Sequence, residues 1–226
     1  MNVKLNDKAY KYTPKKLIIP SVFISYGVLS LTVDGLREIN TSTRYESSEH
    51  ITPGFKIDNY IQYAPAVIVY GLNLAEVKGK HNFKDRTIIY ATSQLVSAAF
   101  VLSTKHFVKE ERPDGSNNLS FPSGHTTTAF SSAHFMFREY KDTNLLLSLS
   151  GYPVAAATGI YRVFNDKHWV GDVVAGAGIG ILSTEIAYWL FPTISKWLSP
   201  KNEKQSFVFL PTYQSRQIGL DLIKRF

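Results

Sequence analysis

The chain contains no cysteine, which excludes disulfides, thiolate catalysis and cysteine-based zinc sites and says nothing about compartment. It also lacks any cluster of residues with metal-ligand spacing, any long low-complexity stretch, and any repeat within its apolar part. The one glycine-rich run, "GAGIG" at 176–180, has neither the spacing nor the context of a dinucleotide fingerprint. A basic stripe is missing too. The 25 Lys and Arg outnumber 18 Asp and Glu, giving a net charge of +7, but they flank apolar runs rather than line one face. Nucleic acid is therefore not the expected partner. Mean hydropathy is near zero, low for a membrane protein, yet the average conceals strong local contrast.

That contrast comes from six runs: 17–33, 60–75, 87–104, 126–137, 144–161 and 169–191. The first, "LIIPSVFISYGVLSLTV", is uncharged and follows Lys15 and Lys16. No A-x-A-like cleavage site follows it, so it reads as a retained membrane helix rather than a signal peptide. Several runs are dotted with Ser, Thr and Tyr, which a membrane bundle tolerates in its interior. The alternative is a soluble protein with six buried helices. The length suits one domain with a substantial core.

Loop charge orients such a bundle. Lysines crowd the segment before residue 17, the 78–86 loop is basic, Arg138 and Lys141 follow, and the tail after 195 is basic again. The loops of opposite parity, 34–59 and 105–125, mix acids with bases. The positive-inside rule then predicts cytoplasmic termini, with 105–125 and 162–168 on the outer face. The expected organisation is an N-terminal segment 1–16, a membrane domain 17–195, and a tail 196–226. In the tail, "SFVFLPTY" and "IGLDLIKRF" have partial period-two character and read as a β-hairpin.

Polar residues with chemical potential sit at the predicted outer ends of these runs. Lys105 ends the third, Arg112-Pro113 follows it, His125 begins the fourth, Arg162 ends the fifth, and His168 and Asp172 begin the sixth. A spacing of four puts His168 and Asp172 on one helix face, where the acid would fix the imidazole tautomer and free the other nitrogen. A helix-terminal His stabilised by a nearby acid has the same spacing. Lys105, Arg112 and Arg162 would repel one another if gathered, unless an anion lay between them. A phosphoryl group suits Arg forks and a Lys charge. Snorkelling at the membrane interface is the alternative for each cation alone. In "FPSGHTTTAF" (121–130), Pro122 suits a first helical turn, Ser123 a cap, and Gly124 close backbone approach to an anion at the positive helix end. Gly171, Ala175, Gly176 and Gly180 read as structural, suited to tight helix packing. "NTS" at 40 and "NLS" at 118 match glycosylation acceptors.

Three pieces in order, "KHFVKEERP" (105–113), "PSGH" (122–125) and "YRVFNDKHWVGD" (161–172), resemble the three-part signature of the type 2 phosphatidic acid phosphatase superfamily. That superfamily also includes bacterial acid phosphatases and vanadium haloperoxidases. The match covers 105–172, and the six-run layout extends it to about 192. One departure is Tyr161, where the family usually has Ser.

The resemblance implies an all-α, six-transmembrane-helix bundle of the phosphatidic acid phosphatase/haloperoxidase type. It implies a metal-independent lipid phosphatase with no cofactor, in the bacterial inner membrane with its site facing the periplasm. By the same resemblance, Lys105, Arg112, Arg162, Ser123 and the Gly124 amide bind phosphate. His168 attacks phosphorus, Asp172 orients it, and His125 protonates the leaving oxygen. Expected substrates are undecaprenyl pyrophosphate, phosphatidylglycerol phosphate, phosphatidic acid or a lipid A phosphate. A non-lipid acid phosphatase, a haloperoxidase and a non-catalytic phospholipid-binding membrane protein are the alternatives. Neither the sequence nor the resemblance selects an oligomeric state.

Overall fold

The computed structural model describes residues 11–50, 56–198, 206–214 and 217–225, so most of the expected 1–16 segment lies outside the described residues. After a short 3-10 turn, nine helices follow among those residues. They are α1 Ile18–Leu29, α2 Asp34–His50, α3 Asp58–Ile61, α4 Ala64–Leu74, α5 Phe83–Val108, α6 Gly124–Tyr140, α7 Leu145–Leu149, α8 Gly151–Phe164 and α9 Val170–Leu198. All six apolar runs are largely helical, the second being divided between α3 and α4 and the fifth between α7 and α8. The chain separates into two units after Phe191. In the second, β1 (Ser206–Gln214) and β2 (Gln217–Arg225) pair antiparallel, from Ser206 opposite Arg225 to Gln214 opposite Gln217.

The 34–59 region, read as a loop, instead carries α2 and α3. Neither has an apolar run to announce it. Helix α2 is held by single polar contacts: Asn40 is buried and accepts a hydrogen bond from the Gly171 N–H at 3.1 Å. That burial also closes the first glycosylation acceptor.

The first unit keeps an apolar core around Val69, Ile89, Phe135 and Phe191, but elsewhere its pattern is inverted. Val22, Val67, Leu95, Leu102 and Leu146 stand outward and exposed, while Ser93, Ser97, Ser131, Ser132, Ser183 and Thr184 are buried. Hydroxyls stitch the interior: Ser93 to Ser131 at 2.9 Å, Ser131 to Thr184 at 3.1 Å, and Tyr90 to Ser132 at 2.9 Å. Water would favour the reverse arrangement, and a hydrocarbon surround favours this one. Two helices, α5 and α9, are long and apolar enough to cross a membrane by length and composition. The pair Pro14–Leu29 and Asp34–Glu46, bent by 85°, would make a third. The bundle is that of a membrane protein.

Helix α6 is central and packs on α4, α5, α7 and α8. Its approach to α9 depends on two glycines. A Cβ on Gly176 would stand 2.7 Å from the Ser123 carbonyl, and one on Gly180 would stand 2.4 Å from the Thr127 carbonyl. Both obstacles are backbone and cannot swing aside. At the far end of α6, Glu139 is buried and accepts from the His81 N–H at 3.1 Å, Arg86 Nε at 2.8 Å and Tyr188 Oη at 2.7 Å. A buried carboxylate persists only when so satisfied. This closes one end of the bundle and leaves the chemistry to the other.

Candidate active site

Helix α5 ends at Val108, and Lys109 stops it in the left-handed conformation, with φ 52°. Lys105, in its last turn, therefore faces the 109–123 loop, where its Nζ donates to the carbonyls of Leu119 and, at 3.0 Å, Ser120. Two hydrogen bonds pin the first part of that loop to the 166–169 segment. The Asp114 N–H donates to the Asp166 carbonyl at 3.1 Å, and Trp169 Nε1 donates to the Glu111 carbonyl at 2.9 Å. Arg112 is thereby carried toward Arg162 in the last turn of α8. Burial, and then the charge of Arg162, hold the Arg112 guanidinium below its usual range. Lys105, Arg112 and Arg162 stand near enough to act on one another's charge.

Arg162 Nη1 donates to Asp58 Oδ2 at 2.7 Å. Asp58 opens α3 and is almost fully buried. The Nε atoms of both Arg112 and Arg162 are buried without a hydrogen-bond partner. Leaving a guanidinium donor unpaired costs on the order of 1–3 kcal/mol. Two such donors in one place are what an anion-binding pocket presents.

Helix α6 begins at Gly124 with Ser123 as its cap. Pro122 thus precedes the cap instead of sitting in the first turn. The Ser123 hydroxyl is buried and accepts from Thr126 Oγ1 at 2.9 Å and the Thr126 N–H at 3.4 Å. In this arrangement it serves the helix end, and the first-turn amides of α6 keep their anion-attracting orientation. The Ser123 N–H donates to the Asp172 carbonyl at 3.0 Å, tying the starts of α6 and α9 together. His125 Nε2 lies 2.8 Å from Asn59 Oδ1.

His168 precedes α9 by two residues rather than lying within it. Its Nδ1 is still 3.3 Å from Asp172 Oδ2, and both side chains are buried. The same carboxylate oxygen accepts from Ser120 Oγ at 2.5 Å and from the Trp169 N–H at 3.0 Å. Burial, opposed by Asp172 and reinforced by Lys105 and Arg162, pulls His168 down to about 4. At neutral pH its imidazole carries no charge and its Nε2 is a free base. Glu110 lies against Asp172. Burial first, and then Asp172, push it up to about 9, so it is a neutral acid at pH 7.

The structure thus brings Lys105, Arg112, Arg162, Ser123, Gly124, His125, His168 and Asp172 to one end of the bundle. It adds Asp58, Asn59, Ser120 and Glu110, which the sequence reading missed. Asp58 had one signal, as an acid just outside an apolar run; the others had none. A cavity of about 630 Å³ opens beside His125, its wall divided between apolar Tyr63, Val101 and Leu102 and polar Gln62, Gln94 and Thr128. Among the described residues, no group of three His, Cys, Asp or Glu could hold a metal ion.

Comparison with known proteins decides the family. Residues 86–196 match the family model described as PAP2 superfamily. The 86–196 region belongs to the PAP2 superfamily. It is 33% identical over 172 residues to the lipid A 1-phosphatase of Porphyromonas gingivalis, covering 76% of this chain but 39% of that protein. It is 26% identical over 149 residues to a lipid A 1-phosphatase of Helicobacter pylori, covering 64% of this chain and 71% of that one. The chain therefore spans about two fifths of the first relative's length. Among solved structures, the crystal structure of Aquifex aeolicus LpxE superposes with a TM-score of 0.50 at 21% identity. That superposition covers 66% of this chain and 93% of the other. At that identity the likeness is one of PAP2 fold.

Proposed function

We propose that this PAP2 protein is a membrane lipid phosphatase acting through a phosphohistidine on His168. The observation that carries the proposal is the pair of unpaired Arg112 and Arg162 Nε donors, with Lys105 and the α6 amides, around a neutral His168 held by Asp172. Phosphoryl transfer is mainly positioning and neutralisation of oxygen charge. Here three cations and a helix start supply both.

The steps follow from the atoms. Asp172 takes the Nδ1 side of His168, so Nε2 attacks phosphorus. The bond from phosphorus to the lipid oxygen breaks as His125 donates its proton to that oxygen, releasing the lipid alcohol. A water then attacks the phosphohistidine while His125 takes its proton, the P–N bond breaks, and inorganic phosphate leaves. Asn59 orients the His125 ring, and Asp58 holds Nη1 of Arg162 so that its Nε edge faces the anion.

The cavity beside His125 favours a lipid substrate. It lies on the leaving-group side, and its rim residues Tyr63 and Leu102 are 47% and 67% exposed on the bundle's apolar exterior. The apolar part of its wall, Tyr63, Val101 and Leu102, suits an acyl-bearing leaving group. The names of the two relatives put the 1-phosphate of lipid A first among candidates, ahead of undecaprenyl pyrophosphate, phosphatidylglycerol phosphate and phosphatidic acid. With all six runs crossing, the site faces the periplasm from the inner membrane and the Lys-rich end faces the cytoplasm.

Detergent-purified protein given this panel and a soluble aryl phosphate, with EDTA present, tests the reading. Release of phosphate from a lipid, lost in His168→Ala, is expected. Turnover of the aryl phosphate alone, or equal release by wild type and His168→Ala, would overturn it.

A further inference from the structure

A second cavity, of about 460 Å³, lies at the other end of the bundle, lined by both ionic and apolar side chains. Its distance from the catalytic end follows from helix geometry. Lys141 is 16 residues past His125 at the end of α6, which places it roughly 24 Å along the axis, close to the ~30 Å hydrocarbon thickness of a bilayer. Glu185, 13 residues past Asp172, stands about 20 Å down α9 by the same rise.

The charges on this cavity are Lys15, Lys16, Arg138, Lys141 and Glu185, with His134 beside them. They come from the turn before α1, from α6 and its end, and from α9. Glu185 is already engaged: Arg138 Nη1 donates to it, His134 Nε2 lies 2.9 Å away, and Lys16 Nζ is 3.4 Å away. One carboxylate thus faces four cations, and the local surplus is positive. Below the cations the wall turns apolar, with Ile19, Phe23, Phe130 and Ile181. A cationic mouth over an apolar shaft, at membrane height, has the complementarity of one class of molecule. A soluble anion would have no use for the shaft, and a neutral lipid none for the surplus charge.

We propose that this cavity binds an anionic phospholipid from the leaflet opposite the catalytic site, its headgroup phosphate on Lys15 and Lys141 and an acyl chain along Ile19, Phe23 and Phe130. The site is independent of the catalytic reading and rests on the bundle lying in a bilayer. Its occupant need not be hydrolysable, because both ring nitrogens of His134 are already engaged, Nε2 with Glu185 at 2.9 Å and Nδ1 with Tyr152 Oη at 2.7 Å.

The test uses full-length protein in nanodiscs of equal phosphatidylglycerol and phosphatidylcholine, released into the gas phase for native mass spectrometry. Wild type is expected to retain phosphatidylglycerol in preference to phosphatidylcholine. The double variant Lys15→Gln/Lys141→Gln is expected to lose that preference by roughly tenfold or more. Lys15 is exposed and Lys141 half-buried, so neither substitution threatens folding, and retained phosphatase activity confirms it. Arg112→Ala, at the catalytic end, should keep the preference. Equal retention of the two lipids, or a double variant that retains phosphatidylglycerol like wild type, would overturn the proposal. So would loss of the preference in Arg112→Ala, because the lipid would then lie at the catalytic end.

Discussion

His168 Nδ1 stands 3.3 Å from Oδ2 of Asp172, and that oxygen also accepts from Ser120 and from the Trp169 N–H. The carboxylate is thereby fixed before any substrate arrives, and it fixes the imidazole in turn. Asp172→Asn should lower kcat by about 10³-fold or more, by favouring the wrong tautomer. Ser120→Ala removes one of three donors and should cost up to about tenfold. Steady-state kinetics on the best lipid of the panel checks both. A Ser120→Ala loss as large as that of Asp172→Asn would mean that the hydroxyl has a direct role.

The pH profile follows from burial. His168 is held near 4, below its ordinary value near 6.5. Protonation blocks Nε2, so the acid limb of kcat/KM should be centred near 4. An acid limb centred near 6.5 would mean that His168 is far more solvated than its burial indicates.

Glu110 is a neutral acid at pH 7, held up to about 9 by burial and by Asp172. Gln mimics that neutral form. Glu110→Gln should therefore retain activity within about threefold at pH 7, since one neutral hydrogen bond replaces another. Above pH 9, wild type gains a negative charge beside Asp172 and the variant does not, so the two profiles should part there. A large loss in Glu110→Gln at pH 7 would show an ionised Glu110.

Much of the site was legible in the sequence because its members sit in three short motifs with distinctive residue types. Lys105, Arg112, Arg162, His125, His168 and Asp172 could be named together for that reason, and the structure gathers them. Asp58, Asn59 and Ser120 could not. Their roles rest on contacts across 104, 66 and 52 residues with Arg162, His125 and Asp172, and no periodicity encodes such pairs. Helix α2 was invisible for a related reason: Asn40 attaches it to Gly171 across 131 residues, and its polar sequence offers no apolar run. The apolar runs themselves predicted helices well, although their surroundings differ: α5 turns Leu95 and Leu102 outward, whereas the run in α6 has no exposed residue.

Gly180 marks where packing tolerates no growth. Gly→Ala often stabilises a chain through its unfolded state, by about 0.4–1 kcal/mol. Here the added Cβ meets the Thr127 carbonyl at 2.4 Å and the Ser131 N at 2.8 Å. Gly180→Ala should instead destabilise the α6–α9 seam by about 1–3 kcal/mol. A thermal melt in detergent reads this as a lowered Tm, and an unchanged or raised Tm would refute the tight seam.

The nucleophile is the centre of the account, and one measurement reaches it directly. Wild-type protein is mixed with lipid carrying a radiolabelled phosphate and quenched within one turnover, and the label is mapped by peptide. The account predicts an acid-labile, base-stable phosphoramidate on His168, absent from His168→Ala. Label on any other residue, or steady turnover with no labelled protein at any quench time, would contradict it.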